Sequence, residues 1–277
     1  QDFSWWNQKH NWDGTTHWSE YMILSPAYLG PNALPVPEVK NGSIGEKASL
    51  ELSFEGHFSK GDNTQNLYTN FYTPLFSKNA GLNICYIPVE HYKMDTVTRD
   101  IRRARDKDGK GFSAGDVYIG TYIQLVKDHE RWPDIMISVN IKTASGGNLG
   151  GARFTDSPGY YFDLAAGKEF RFSDSFLKSF RPYGMAGFYA WQTNIDDYFQ
   201  NDAIIWGIGY GMKSEKLEFR NSLGGFSGYL GNGDKPVVVN AAFKTNLESG
   251  VNYKVSFQHG LNDFLYNSFR FGCEIDL

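Results

Sequence analysis

The sequence lacks any long hydrophobic run, and this absence excludes one class of membrane protein. No stretch of the 277 residues approaches the roughly 18 consecutive apolar residues that indicate a transmembrane helix. Mean hydropathy is −0.45, which is also too polar for a helical membrane protein. A β-barrel is still allowed, because only every second residue of its strands has to be apolar.

Cysteine and basic charge are scarce as well. Cys85 and Cys273 are the only two cysteines, and their wide separation predicts neither a disulfide framework nor a thiol or metal site. The net charge of −4 argues against a nucleic-acid partner, which would require a basic surface. No motif calls for a cofactor. The chain begins at Gln1 without a Met, as expected of an exported chain whose signal peptide has been removed.

What the sequence does contain is apolar/polar alternation from Lys47 onward. In the clearest run, 134–143, Ile and Val at odd positions alternate with mostly polar residues at even positions. A period of two indicates strands with two different faces. The alternation predicts twelve strands, at 47–59, 64–77, 80–93, 116–127, 134–143, 159–171, 181–194, 203–213, 217–229, 236–247, 250–259 and 264–277.

Strand length, strand number and connection length together predict the architecture. Most of the predicted strands suit the roughly 9–11 tilted residues that cross a bilayer. The long connections 94–115 and 144–158 both follow odd-numbered strands, whereas connections after even-numbered strands are shorter. This asymmetry is typical of barrels with short periplasmic turns and longer outer loops. We therefore expect an all-β protein whose residues 47–277 form a closed antiparallel transmembrane β-barrel of about 12 strands, with 10–14 possible, in a Gram-negative outer membrane.

Residues 1–46 have a different composition from the predicted barrel. They hold four of the seven Trp and four of the ten Pro. An aromatic tail left in solvent would promote aggregation, so we expect this segment to plug the lumen or to cap the periplasmic mouth. A disordered leader and a partner-binding tail are the alternatives.

The polar face of the predicted strands supplies the candidate site. The expected lumen-lining residues are Glu51, Glu55, His57, Asn140, Lys142, Asp163, Glu169, Arg171, Glu218, Arg220, Lys244, Lys254, Arg270 and Glu274. Charges of both signs predict internal ion pairs first, and a selective solute path second. Gly207, Gly209 and Gly211 share this face, where they would make room for bulky side chains.

The predicted outer loop 94–115 is rich in basic residues and contains a short acidic motif. Its Arg and Lys side chains would suit lipopolysaccharide phosphates, although a solvated charged loop is the simpler explanation. Its basic residues are Arg99, Arg102, Arg103, Arg105, Lys107 and Lys110. Asp106 and Asp108 are spaced like the start of a calcium loop, with Asp116 as the closing ligand. Lys110 stands where a further ligand would be expected.

One set of residues could support catalysis. Ser256, His259 and Asn262 resemble in type the Ser-His-Asn set of outer-membrane phospholipase. The common occurrence of such trios makes an ordinary turn the simpler interpretation, so the chain is expected not to be an enzyme.

The stretch 111–170 is similar to the outer-membrane channel family associated with the meta-pathway of phenol degradation. The similarity rests on Gly115-Asp116, Lys142-Thr143 and Ser145-Gly146, and it covers about a fifth of the chain. Thr-Ala-Ser-Gly stands here where that family usually has Pro-Thr-Gly. The run 264–277 also resembles the C-terminal assembly signal of such barrels, although it ends in Leu277 rather than an aromatic residue. The resemblance to the phenol-pathway channel family implies a barrel that passes small, often hydrophobic molecules, and it assigns no binding residue.

These observations favour an outer-membrane barrel that acts as a narrow or gated channel for small solutes. A structural or accessory subunit of an envelope complex and an outer-membrane lipid hydrolase are the alternatives. The expected partners are outer-membrane lipid, lipopolysaccharide and another envelope protein, with no nucleic acid.

Overall fold

The computed structural model describes residues 2–76, 78–173, 175–195 and 197–277. Within these ranges the chain is mostly strand, with few and short helices. The strands are β1 (Ser49–Ser59), β2 (Asp62–Pro74), β3 (Ala80–Met94), β4 (Lys110–Ser113), β5 (Tyr118–Val126), β6 (Asp134–Lys142), β7 (Gly159–Gly167), β8 (Phe170–Arg171), β9 (Ser179–Ile195), β10 (Tyr198–Lys213), β11 (Leu217–Gly228), β12 (Val237–Thr245), β13 (Val251–Asn262) and β14 (Asn267–Asp276). The helices are α1 (Ser4–Lys9) and α2 (Thr96–Ile101), with 3₁₀ turns at Trp18–Tyr21 and Leu149–Gly151.

In the described part of the chain, twelve strands pair antiparallel around a closed ring. Each barrel strand pairs with the next one along the chain, and β1 closes the ring on β14 from Ser49↔Asp276 to Phe58↔Asn267. The two short strands lie outside this order, since β4 pairs antiparallel with β3 and β8 pairs antiparallel with β9. The predicted closed 12-stranded barrel is therefore confirmed.

The two faces of each strand explain why the sequence alternates. In β6, Met136, Ser138 and Asn140 are buried inside the barrel, whereas Val139 and Ile141 are 47% and 53% exposed on its outer surface. A continuous outer band of this kind is stable only against lipid, because in water it would be a large exposed apolar patch. Among the described residues, no helix is long and apolar enough to cross a membrane.

The two ends of the barrel differ in their connections. One end, here called the termini end, carries Ser49, where β1 begins, and Asp276, where β14 ends. The opposite end, here called the loop end, carries the long connections 95–117 and 143–158. Since outer-membrane barrels have short turns on the periplasmic side and longer loops outside, the loop end faces the cell exterior.

The N-terminal segment passes through the barrel from one end to the other. Residues 2–21, here called the cap, lie at the loop end, where Trp6 Nε1 donates a hydrogen bond to the Arg103 carbonyl at 2.8 Å. Residues 22–46, here called the thread, run down the bore and reach the termini end at the start of β1. The thread thus lies inside the barrel, and the cap lies at its loop end.

Candidate functional site

A cavity of about 520 Å³ lies between the thread and the barrel wall, and every barrel strand except β9 and β10 contributes to its lining. Its lining begins at Ser49 and Glu274, at the termini end, and continues up to Phe154 and Phe264. These two phenylalanines are almost completely buried beneath the loop end. The cavity is therefore a vestibule on the termini side that stops below the outer loops.

The vestibule wall carries ion pairs that the strand register brings together. Glu55 lies directly opposite Arg270 in the β1–β14 pair, and Arg270 Nε approaches Glu55 Oε1 at 2.6 Å. Lys254 Nζ lies 2.8 Å from Glu51 Oε2, and Lys244 pairs with Glu274. The wall is thus strongly polar, although its charges largely neutralise one another.

Glu38 differs from these wall carboxylates because it projects from the thread into the vestibule. It is exposed to the vestibule, and within the described structure it makes no hydrogen bond or ion pair. The charged side chains that act on it most strongly are Lys254, Arg220 and Arg270. Glu38 is therefore a free acidic group facing the basic side of the wall.

Five buried side chains, here called the outer ion-pair cluster, close the vestibule towards the loop end: Asp62, Glu90, Arg102, Arg153 and Tyr266. Arg153 reaches in from the 143–158 loop and binds Glu90 at 2.7 Å and Asp62 at 2.9 Å. Arg102 follows α2 and binds Asp62 at 2.6 Å, and Tyr266 donates a hydrogen bond to the same carboxylate. Each of the five is at most 2% exposed. Because buried charges are stable only when paired, the cluster holds both outer loops down over the bore.

The wall holds the lower thread mainly through the thread's own backbone. Gln124 donates a hydrogen bond to the Gly42 carbonyl at 2.8 Å and accepts one from the Ile44 amide at 2.9 Å. Lys40 adds a side-chain anchor, because its Nζ lies 2.7 Å from the buried carboxylate of Asp163. The thread is therefore fixed along the wall formed by β5 to β7.

Glycines on β10 provide the space for this packing. A Cβ added at Gly207 would lie 2.5 Å from Val39 Cγ2 of the thread, and one at Gly209 would lie 2.6 Å from the Tyr183 ring. Such distances leave no room for a larger residue. Gly211 has no comparable neighbour, so only the upper two glycines make room for bulky groups.

Most of the expected lumen residues do face inward. Six of them are buried and six are partly exposed, and the vestibule lining includes residues of both groups. The buried ones are Glu51, Glu55, His57, Asn140, Lys142 and Asp163, all at most 5% exposed; Arg220, Lys244, Lys254, Arg270 and Glu274 line the vestibule, and Glu218 pairs with Arg220.

Glu169 and Arg171 require a correction, because neither lines the lumen. Strand β7 ends at Gly167 instead of continuing to 171, so the alternation that placed both residues inward does not apply. They lie in the connection to β9 at the termini end, where they form a solvent-exposed ion pair at 3.0 Å.

The structure also corrects the calcium prediction. Asp116 is buried against Lys142, with 2.7 Å between Oδ2 and Nζ, and its other oxygen accepts a hydrogen bond from the Gly146 amide. Asp106 instead accepts a hydrogen bond from the Tyr92 hydroxyl at 2.6 Å, and Asp108 is exposed. In the described ranges no three acidic, His or Cys side chains are grouped to hold a metal ion.

The basic loop residues hold the cap in place. Arg105 stacks 3.7 Å above the Phe3 ring, Arg99 lies 4.3 Å from the Trp5 ring, and Arg103 donates to the Tyr21 carbonyl. Arginine over an aromatic face is favourable, especially where water is partly excluded. An Arg-rich loop together with an aromatic tail is the sequence signal from which this contact could be predicted.

His10 lies at the centre of the cap contact. Its ring is 5.1 Å from the Trp6 ring, and its Nε2 is buried without a partner among the described residues. Burial, and next the positive charge of Arg103, lower the pKa of His10 below its ordinary value, although Asp100 acts in the opposite direction. The docked cap thus favours the neutral form of His10.

The proposed catalytic trio is not assembled. Ser256 lines the vestibule, whereas His259 is exposed on the opposite face of β13 and contacts Asn267 at 2.7 Å. Asn262 donates to the Lys235 carbonyl. Because the two faces of a strand point away from each other, Ser256 and His259 cannot act together.

Comparison with solved structures places the fold among outer-membrane β-barrels. An outer-membrane channel from Pseudomonas putida F1 superposes with a TM-score of 0.56 and 10% sequence identity, over 87% of this chain and 98% of that chain. The KdgM porin, solved in complex with disordered oligogalacturonate, superposes with a TM-score of 0.50 and 9% identity, over 82% and 99% of the two chains. No protein-family model and no curated protein matches the sequence. The predicted class, a transmembrane barrel of the outer-membrane type, is confirmed at the level of fold.

Proposed function

We propose that the protein is a gated outer-membrane channel for small polar solutes, and that the structure represents its closed state. The observation that carries this proposal is the vestibule of about 520 Å³, which stops beneath the outer ion-pair cluster. A cavity of this size accommodates a small molecule. Opening it to the exterior requires the outer loops or the cap and thread to move.

The lining favours polar solutes over hydrophobic ones. Ion pairs such as Lys254–Glu51 and the free carboxylate of Glu38 face the space that a solute would occupy. An apolar molecule would displace water from these groups without replacing its hydrogen bonds, which is unfavourable. The charged wall thus argues against the hydrophobic solutes that the phenol-pathway resemblance implied.

A non-conducting accessory barrel is the second candidate, because the outer end is sealed by both loops and by the cap. For either function, we propose that the outer band contacts membrane lipid. The exposed Lys107 and Lys110 at the loop end are available to lipopolysaccharide phosphates.

Planar-bilayer recording separates the two candidates. The full chain should show little or no steady conductance. Deletion of residues 2–46 combined with Arg153→Met, which removes the thread and disrupts the outer ion-pair cluster, should produce steady conductance. Absence of current from this variant, when folded, would favour the accessory barrel. Large, stable conductance from the intact chain would instead indicate an open porin and contradict the closed-state proposal.

A further inference from the structure

We infer that the bore is a binding site for an extended polypeptide, and that the chain's own N-terminal segment crosses the outer membrane through it and displays residues 2–21 on the cell surface. This inference goes beyond the proposed channel function, because it concerns what the bore holds and where the cap lies.

The first argument is that the wall recognises the thread by its backbone. Near the termini end, Gln124 binds the Gly42 carbonyl and the Ile44 amide, and Tyr72 donates to the Gly45 carbonyl at 2.7 Å. Arg181 donates to the Asn41 carbonyl at 3.0 Å. Backbone groups are common to every sequence, so such contacts suit an extended peptide as a chemical class.

The same kind of contact continues towards the loop end. Trp191 Nε1 donates to the Leu24 carbonyl, and the Gly30 amide donates to the Ala152 carbonyl at 2.8 Å. Between these two regions lie Pro35 and Pro37, which have no amide hydrogen and favour an extended backbone. Residues 31–34 form turns, in which the Ala33 amide donates to the Gly30 carbonyl. Beyond them, residues 35–45, extended at about 3.1 Å per residue, span roughly 30 Å, which matches the roughly 30 Å hydrocarbon core.

The second argument is the docking of the cap at the loop end. Trp6 is fully buried there, and its indole binds the Arg103 carbonyl. Lys9 pairs with Asp100 of α2, with 3.2 Å between nitrogen and oxygen. A plug inserted from the periplasm that stopped inside the bore would leave residues 2–21 below or within the barrel, which is not the observed arrangement.

Surface labelling tests where the cap lies. With both native cysteines replaced by serine, Thr15→Cys places a thiol in the exposed part of the cap. Lys216→Cys is the matched control, in the exposed 214–216 turn at the termini end. A membrane-impermeant maleimide on intact cells should label Thr15→Cys to the same extent before and after permeabilisation of the outer membrane. It should label Lys216→Cys only afterwards. If labelling at position 15 also requires permeabilisation, surface display is wrong.

A disulfide tests the path through the bore. A Cβ at Gly207 would lie 3.3 Å from Val39 Cβ, close to the separation found in disulfides. The pair Val39→Cys and Gly207→Cys should therefore crosslink in cells, whereas Val39→Cys with Gly211→Cys, four residues further along β10 towards the termini end, should not. Crosslinking at neither position, or equally at both, would overturn the threaded arrangement. These results do not depend on conductance, so this inference and the proposed channel function can fail separately.

Discussion

Replacing Arg153 by Met should open the outer end of the barrel. Arg153 is fully buried and binds Glu90, Asp62 and the Thr64 hydroxyl within 2.9 Å. Met fills a similar apolar volume but provides no hydrogen-bond donor and no charge. In the closed state Glu90 then loses its buried cation, and Asp62 keeps only Arg102.

The size of the effect follows from the cost of an unpaired buried charge. Removing one partner of a buried pair typically costs about 3–5 kcal/mol. We take about 3 kcal/mol, because Arg102 still neutralises Asp62. An open state that hydrates these carboxylates avoids this cost, so the open-to-closed ratio should rise roughly 100-fold at 1.4 kcal/mol per factor of ten. Adding Glu90→Gln removes the carboxylate that lost its cation, and should therefore restore part of the closed population.

Single-channel recording in planar bilayers measures this ratio as open probability, and heat-modifiable migration confirms that each variant is folded. Arg171→Met is the matched control, because its ion pair with Glu169 is solvent-exposed and outside the bore. A folded Arg153→Met variant whose open probability equals that of the parent would refute the idea that the outer ion-pair cluster is the gate.

Three further predictions concern the cap, the outer face and the thread. Below about pH 6.5, a released His10 protonates more readily than the docked one. The cap should therefore stay docked above this pH and detach as the pH falls, and Trp fluorescence should show a transition that His10→Gln abolishes and His17→Gln retains. Ile137→Lys should destabilise the barrel by up to about 2–4 kcal/mol in urea unfolding, whereas Asn140→Lys, on the inner face, should not incur this lipid penalty. Gln124→Ala removes hydrogen bonds to the thread that are worth about 0.5–1.5 kcal/mol each, so protease should cleave the thread more readily. Unchanged protease resistance would contradict a role for Gln124 in holding the thread.

The barrel was predictable because its determinants are local. Lipid outside and a polar bore inside impose a period of two on every strand, so the predicted run 134–143 coincides with β6 to within a residue. Strand number and the long 94–115 connection then indicated closure and orientation. None of these steps needed a contact between distant residues.

The outer ion-pair cluster was not predictable, because it depends on irregular backbone and on contacts between distant residues. Glu90 faces inward only because β3 shifts register near Pro88, where Leu67 pairs with Val89 and Thr69 with Tyr86. A bulge of this kind reverses the faces of the strand beyond it, so simple alternation fails there. Arg153 lies in a loop without any period, and its contacts form only when that loop folds into the bore.

The cap and thread also constrain the order in which the molecule is assembled. The cap ends in helix α1 and a buried Trp6 on the far side of the barrel from Ser49. A helix about 10 Å across is wider than an extended chain, so the cap, once folded and docked through Trp6, resists withdrawal of the thread through the bore. Residues 2–46 can take up their positions while β1 and β14 are still unpaired, or pass through the closed barrel as an extended chain. In either case α1 forms last, and folding of the cap is the step that retains the segment in the barrel.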